Sequence, residues 1–560
     1  MVFGSTAEGV YNLYALNLSK GETFKITKEP PHLYAKTSRI SPYVVYTLDV
    51  SKGFELVKLY AINLNTLELV DVSREVPPQR VVGVGFDGVR VAWSGSTKEA
   101  AGIYLTKVPD GEPELIAKTK GREFVTDVSG NYIVGFGHLR DNPYSMEIFV
   151  IDLKSNEFKV VTPKEGSTNT SPRIKDNDVF FVSDFKTLDK ERLYSFNVSS
   201  EEFKDVTFES SDLIAYDPTE IVNYGWSDAG ELWVIGKRDG RTKLFLNGRE
   251  IPTPKGFITD ADLYEGKAYI AFSSLKEPPK IASVDLTSGE VKVVIDNKLP
   301  EEISKKFGEV LFVRFRSFDG LEIPTYVLKN AEVSAPGPTV IYPHGGPWSE
   351  VADSWSSFIA ALTVLGYHVV APNFRGSTGY GESFRKLDLG DPGGGDLLDV
   401  VYARDWAVKA GIAREDSVCI VGYSYGGYMT FIAMTKYPDL WRCGVAGAGV
   451  TDWREDYELA DAYFKKFDEI LFAGKLELFE ERSPITYVEN TKAPICIIHP
   501  QNDSRCPLKP VMKFAFKLME LGKPFELHVV PEIGHAISLD NKSLLKFFIY
   551  TGMFLKKHLT

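Results

Sequence analysis

Four short stretches in the second half of the chain carry side chains whose types and spacing fit hydrolysis by a serine nucleophile. The first is Gly422-Tyr423-Ser424-Tyr425-Gly426-Gly427, a GxSxG pattern between the apolar run VCIV and the helix-like run YMTFIAMTKY. In that setting a sharp strand-to-helix turn lifts the serine above a sheet, and glycines flank it because a Cβ there would strike the neighbouring strand or helix. A serine hydroxyl is a poor nucleophile until a base takes its proton, and the base works best when a carboxylate fixes its tautomer. The chain order expected of such a site is serine, acid, histidine. Downstream of Ser424 lie His499, His528, His535 and His558. The first two fall inside expected strands and His558 is close to the chain end, so His535, in PEIGHAI, is the expected base. Asp503, in QNDSR, follows an apolar strand and is the expected acid. Capping a turn is the plainer use of such an aspartate, but order and strand context favour catalysis, whereas Asp452 and Asp456 follow an earlier strand. The last stretch is His344-Gly345-Gly346-Pro347. Its glycines let the backbone approach a substrate carbonyl, so the N–H groups of Gly346 and Tyr425 are the expected oxyanion hole.

The elements that must position these residues are legible as a change of period after about Pro300, where short apolar strands alternate with longer helical patterns, as in an α/β domain. Strands are expected at 310–315, 323–328, 339–343, 368–372, 418–422, 443–446, 495–500 and 526–530. Asp396 is a plausible N-cap for a helix over 397–410. Gly393-Gly394-Gly395 lacks the Lys-Ser/Thr of a phosphate loop and reads as a connection. The stretch from Phe374 to Gly381, FRGSTGYG, reads as a rigid loop at a strand's C-terminal end, where function gathers in open sheets.

The first half repeats itself. An apolar strand, a polar turn and a second strand recur from Leu13, Leu59, Ile103, Ile148, Leu193, Leu244 and Ile281. The spacing matches the blade period of a β-propeller, so the copies predict a seven-bladed domain over about residues 1–300. A lone blade cannot bury its apolar face, whereas a ring of blades can.

Bulk properties remove other classes. The net charge of −12 argues against a nucleic-acid or anionic-membrane surface. The N-terminus has no basic region leading into an apolar stretch, and no long apolar run occurs, so a cytoplasmic protein that does not enter a membrane is expected. Cys419, Cys443, Cys496 and Cys506 have no metal-ligand spacing and are expected to be buried free thiols. Gln79 and Gln501 are the only glutamines, a depletion that fits a heat-adapted source.

A seven-repeat propeller followed by HGGP, FRGSTGYG, GYSYGG, QNDSR and GHA resembles the prolyl oligopeptidase family of serine peptidases, and within it the archaeal acylaminoacyl peptidases. The resemblance covers nearly the whole chain. It implies two domains, a propeller over 1–300 that gates substrates and an α/β-hydrolase domain over 301–560. It places the triad on Ser424, Asp503 and His535 and the oxyanion donors on Gly346 and Tyr425. It also implies a pocket for the residue before the scissile bond, matched here by GAGVTDW and DAYFKKF, with Val450, Trp453, Phe464 and Phe467 as candidates. Core packing is the commoner fate of any one of these side chains. The implied activity is release of an N-acylated amino acid, preferably apolar, from short peptides, with no metal or organic cofactor. A broader oligopeptidase or a carboxylesterase would use the same triad. A propeller scaffold with a vestigial hydrolase is disfavoured by the complete set. Glu201-Glu202 falls in an expected hairpin turn, unlike the glutamate pair with which dipeptidyl peptidases hold a free amine. Basic-specific relatives need acids in the pocket, and the matching stretches are mainly apolar despite Asp456, Glu458 and Asp461. Relatives usually open with a helical segment, whereas this chain opens almost directly in the first blade. Subunit number is left open, a homodimer or larger homo-oligomer included.

Overall fold

Period-2 alternation in the first half builds strands that pair only with their sequence neighbours. In the computed structural model, which describes residues 1–140, 142–206, 208 and 211–559, this produces seven antiparallel sheets between Val2 and Ile295. Six sheets have four strands and the first has three, Val2–Ser5, Asn12–Asn17 and Glu22–Lys25. The repeated unit supplies the outer pair of each sheet; in the copy from Leu59, Ile62 pairs with Leu69. Thr207, which closes the fifth copy, lies outside the described residues. Each apolar face is covered by the next blade, as where Val45 and Leu59 of the second sheet pack with Val84 and Trp93 of the third. The seven-bladed propeller is therefore the fold of this region.

The second half forms one eight-stranded sheet. Its strands, in chain order, are β1 (Phe307–Arg316), β2 (Glu322–Asn330), β3 (Gly337–Ile341), β4 (His368–Pro372), β5 (Ala413–Tyr423), β6 (Cys443–Gly447), β7 (Ile495–Pro500) and β8 (Phe525–Val530). The spatial order is β1-β2-β4-β3-β5-β6-β7-β8, antiparallel for the first two pairings and parallel thereafter. Both faces are covered, as parallel strands require. Along β5, Val418 and Ile420 enter one core while Cys419 and Val421 enter the other.

Two expectations are corrected. Cys419 and Cys443 form a disulfide, because the parallel register of β5 and β6 sets them opposite each other with Cα atoms 4.9 Å apart; Cys496 and Cys506 are buried free thiols. Asp396 is not an N-cap. Helix α1 (Gly395–Lys409) starts after Gly394, and Asp391 Oδ2 accepts from the Gly395 N–H at 2.9 Å. That frees the buried Asp396 to accept from the Tyr425 hydroxyl at 2.5 Å.

The two domains touch through both polar and aromatic contacts. Residues 49–55 of the second blade meet the loops after β7 and β8: Asn502 Nδ2 donates to Lys52 O at 2.7 Å, and a Cβ on Gly534 would lie 1.8 Å from Gly53 O. Elsewhere Lys237 bridges Glu220 and Glu350, and Thr168 donates to Glu382.

Candidate active site

β5 ends at Tyr423 and helix α2 (Tyr425–Lys436) begins at once, leaving Ser424 alone at the turn with φ 60° and ψ −124°. A non-glycine residue adopts this conformation only where its surroundings impose it. Here they do: a Cβ on Gly422 would lie 2.1 Å from Gly426 O, one on Gly426 2.2 Å from Pro343 O, and one on Gly427 2.2 Å from Gly447 O. The three glycines thus let strand, turn and helix pack together while the serine side chain stands clear.

Ser424 Oγ donates to His535 Nε2 at 2.9 Å, and His535 Nδ1 donates to Asp503 Oδ2 at 2.7 Å. The other oxygen of Asp503 accepts from the N–H groups of Arg505 and Cys506, each at 2.9 Å. Burial by itself would raise the Asp503 carboxyl, but the adjacent His535 imidazole and these donors outweigh it and hold the group below the usual range. His535 is fixed from its backbone side by the Tyr423 hydroxyl, which donates to His535 O at 2.8 Å. The plainer use of Asp503 is present as well, since its Oδ1 closes the turn to Cys506.

The propeller reaches the same loop. Arg505 makes a two-pronged contact with Glu55, at 2.8 and 2.6 Å, and Arg80 bridges Glu55, Asp461 and Ser504 Oγ, the last at 2.9 Å. Glu55 is 2% exposed and would be raised by burial alone, yet the Arg505 and Arg80 guanidiniums and His32 hold it well below the ordinary range. Sequence reasoning missed these partners. They are far apart in the chain, and no local pattern couples them.

On the oxyanion side, Gly345 faces the serine: a Cβ there would lie 3.3 Å from Ser424 Cβ. Gly346 has φ 124°, a conformation that favours glycine, and Tyr425 opens α2. His344 is enclosed, its ring stacked 4.3 Å from Phe374 and its Nε2 paired with Ser377 Oγ at 2.8 Å. Burial pushes its pKa down to about 4, so it is a neutral brace and not a second base. FRGSTGYG is thus the support of the HGGP loop, and Arg375 pins it to Asp399 through Nε at 2.9 Å.

The four pocket candidates divide. Phe464 and Phe467 are half-buried on helix α4 (Ala462–Leu471), 6.0 Å apart, and Phe467 lies 5.1 Å from Trp348 of the HGGP loop. Val450 and Trp453 are buried in the core that includes Tyr425, with Trp453 on helix α3 (Trp453–Leu459) packed edge-on to Tyr428 and Phe472. From the propeller, Arg80 lies over Phe464 and Arg122 over Phe467, at 4.8 and 5.3 Å. Trp348, Tyr463 and Arg122 were not singled out in the sequence. Among the described residues, one group has metal-ligand character, Cys496, Glu526 and His528 on β7 and β8, with ligand atoms within 4.8 Å of one another; it includes none of Ser424, Asp503 and His535. No helix among the described residues is long and apolar enough to cross a membrane.

A seven-bladed propeller joined to an α/β-hydrolase sheet, with a strained serine hydrogen-bonded to a histidine, defines a two-domain serine hydrolase. Residues 2–282 match the family described as "Acylamino-acid-releasing enzyme-like, N-terminal domain", and residues 354–560 match the "Prolyl oligopeptidase family". The chain belongs to the prolyl oligopeptidase family, with an N-terminal domain of the acylamino-acid-releasing enzyme-like type. It is 33% identical over 218 residues to dipeptidyl aminopeptidase BIII of Pseudoxanthomonas mexicana, covering 37% of this chain and 32% of that protein. It is 30% identical over 213 residues to the acylamino-acid-releasing enzyme of Homo sapiens, covering 36% of this chain and 29% of the human one. The aligned stretch is thus less than half of either relative. Among solved structures, Pyrococcus horikoshii acylaminoacyl peptidase superposes with a TM-score of 0.71 at 20% identity, covering 100% of this chain and 93% of that one. A puromycin-hydrolyzing peptidase of Mycobacterium tuberculosis superposes with a TM-score of 0.81 at 17% identity, covering 99% and 91%.

Proposed function

We propose that the protein releases an N-acylated amino acid, preferably apolar, from the N-terminus of short peptides through an acyl-enzyme. The observation that carries this reading is the hydrogen-bonded series from Ser424 Oγ to His535 Nε2, 2.9 Å, and from His535 Nδ1 to Asp503 Oδ2, 2.7 Å. Ser424 attacks the carbonyl of the acylated residue while His535 takes its proton, and Asp503 steadies the imidazolium. The tetrahedral oxyanion is received by the N–H groups of Gly346 and Tyr425. His535 protonates the leaving amine, the shortened peptide departs, and a water deprotonated by His535 frees the acyl-amino acid. The side chain of that residue lies against Phe464, Phe467, Val450 and Trp453. The propeller, residues 1–300, admits short or unstructured peptides to the catalytic unit, residues 301–560.

The name of the human relative supports the acyl preference. The bacterial dipeptidyl aminopeptidase points to a free amine instead, but Glu201 is a left-handed turn residue paired with Lys159 on the surface, not a group facing Ser424's pocket. The deciding experiment uses matched peptides beginning with Phe or Leu, acetylated or free, with products read by mass spectrometry. Release of acetyl-Phe and acetyl-Leu from the acetylated set alone is expected. Equal cleavage of free or internal bonds would make this an oligopeptidase, and cleavage of esters only, a carboxylesterase. Ser424→Ala is expected to lower turnover by about 10³-fold or more with the fold retained.

A further inference from the structure

The two donors assigned to the oxyanion hole stand on separate elements, and a buried carboxyl lies behind each. Tyr425 opens α2, and its hydroxyl donates to Asp396 Oδ2 at 2.5 Å. Asp396 lies in the first turn of α1, fully buried, with Oδ1 accepting from the Leu397 N–H at 2.7 Å. On the other arm, Trp348 stands two residues beyond Gly346, and its indole Nε1 donates to Asp388 Oδ1 at 3.2 Å. Asp388 closes the short 3₁₀ turn Lys386–Asp388 and is also buried. One ring joins the arms: Phe374 stacks on His344 of the HGGP loop at 4.3 Å and packs against Tyr425 at 6.1 Å.

Two acids are an unfavourable choice for this place if packing were their only task. Tyr425 shares its core with Phe374, Phe384, Leu397 and Val400, and Trp348 packs against the same core. Taking a carboxyl out of water is costly unless its oxygens are matched, and Asp388 Oδ2 has no hydrogen-bond partner among the described residues. Burial, with Asp396 adding to it, pushes the Asp388 carboxyl well above the usual range, and burial pushes Asp396 up to about 7. The charged neighbours are engaged elsewhere: Arg385 with Glu382, and Asp391 with Arg482 and the Gly395 N–H. What a carboxyl supplies that an aliphatic side chain does not is direction, since a hydrogen bond holds the phenol and the indole each in one orientation. We propose that Asp396 and Asp388 are positioning residues of the oxyanion hole, Asp396 fixing the Tyr425 N–H through the phenol and Asp388 fixing the Gly346 N–H through Trp348. This rests on the assignment of those donors under the proposed function, and not on the acyl preference. The oxyanion forms only on the way to the tetrahedral intermediate, so a donor out of place slows turnover and leaves substrate binding as it was.

The test follows hydrolysis of a p-nitrophenyl ester at pH 8, which uses the same hole and needs no acylated residue. Asp396→Leu is expected to lower kcat about 10- to 100-fold with KM within about twofold of wild type. Tyr425→Phe removes only the hydroxyl and keeps the backbone N–H; it is expected to lower kcat to the same extent, and the two changes together no further. Asp396→Asn, whose amide oxygen still accepts from the phenol, is expected to recover most of the loss. On the other arm Asp388→Leu is expected to lower kcat about 10-fold, and Asp388→Asn to recover it. A kcat within about twofold of wild type in Asp396→Leu and Tyr425→Phe overturns the inference, as does a loss carried by KM or one that Asp396→Asn leaves unrelieved. Circular dichroism reports the fold, and where Asp396→Leu does not fold, Tyr425→Phe decides. Ester turnover that persists in Ser424→Ala removes the serine assignment and this inference with it. Turnover lost in Ser424→Ala but kept in Asp396→Leu and Tyr425→Phe removes the positioning role alone.

Discussion

Arg80 and Arg122 stand at the start of the first strands of the third and fourth blades, and they meet the hydrolase domain under opposite conditions. Arg80 is saturated: Glu55, Asp461 and Ser504 take its donors, and Glu55 in turn takes Arg505, two residues from Asp503. Arg122 is buried among the rings of Phe124, Trp348, Tyr463 and Phe467, and two of its nitrogens are bare. A saturated ion cluster has fixed geometry and resists displacement, because removing one member strands the others in low dielectric. A guanidinium that lies against ring faces with two of its nitrogens bare is held by weaker, less directional contacts. One corner of the interface therefore holds the loop of Asp503 in place, and the other is packed chiefly through ring contacts.

The comparison fails if the two corners respond alike to substitution. Glu55→Ala leaves the buried Arg80 and the half-buried Arg505 without their shared partner, and a loss of about 3–5 kcal/mol is expected by denaturant titration. It should be accompanied by a fall in kcat, since Arg505 flanks the turn that orients Asp503. Arg80→Met should cost nearly as much for the same reason. Titration with pH sharpens the contrast because the signs are opposite. The Glu55 carboxyl is held well below its ordinary value, so its contribution is present above that value and is lost as pH falls toward the depressed one. The Asp456 carboxyl is raised, so its contribution is complete below the ordinary carboxylate value and is lost as pH rises. In unfolding measurements from pH 4 to pH 8, Glu55→Gln should lose most at pH 8, whereas Asp456→Asn should match the wild type near pH 4 and exceed it by about 1–3 kcal/mol at pH 8. The smallest effect belongs to Arg122→Met. It forfeits ring contacts of about 0.5–1 kcal/mol each but also removes a buried charge, so stability within about 1 kcal/mol of wild type is expected. A loss as large as that of Arg80→Met would erase the distinction between the corners.

The fold was legible because each half announces its own period. The repeats from Leu13 to Ile281 report outer strand pairs that cannot stand alone, and the apolar runs from Val310 to Val530 report strands buried on both faces. Local exceptions arose where a partner comes from elsewhere. Asp396 has the composition of an N-cap, yet Asp391 takes that role and Tyr425 claims Asp396. Cys419 and Cys443 look like core thiols until the register of β5 against β6 is known. His344 reads as part of a catalytic motif, and its stack on Phe374 makes it a buried brace.

By itself the sequence determined what is local in the chain: the strand-to-helix turn that forces Ser424 outward, the glycines that let it pack, and the order of serine, acid and histidine. It also determined the seven-fold repeat, since each copy encodes the same alternation. Tertiary structure alone decided which charges meet. Glu55 reaches Arg505, Arg80 reaches Asp461 and Arg122 reaches Phe467 across two separately formed domains, and whether a buried charge finds a partner depends on that docking. Apolar periodicity is written along a chain, whereas the pairing of charges between domains is set by distance in space.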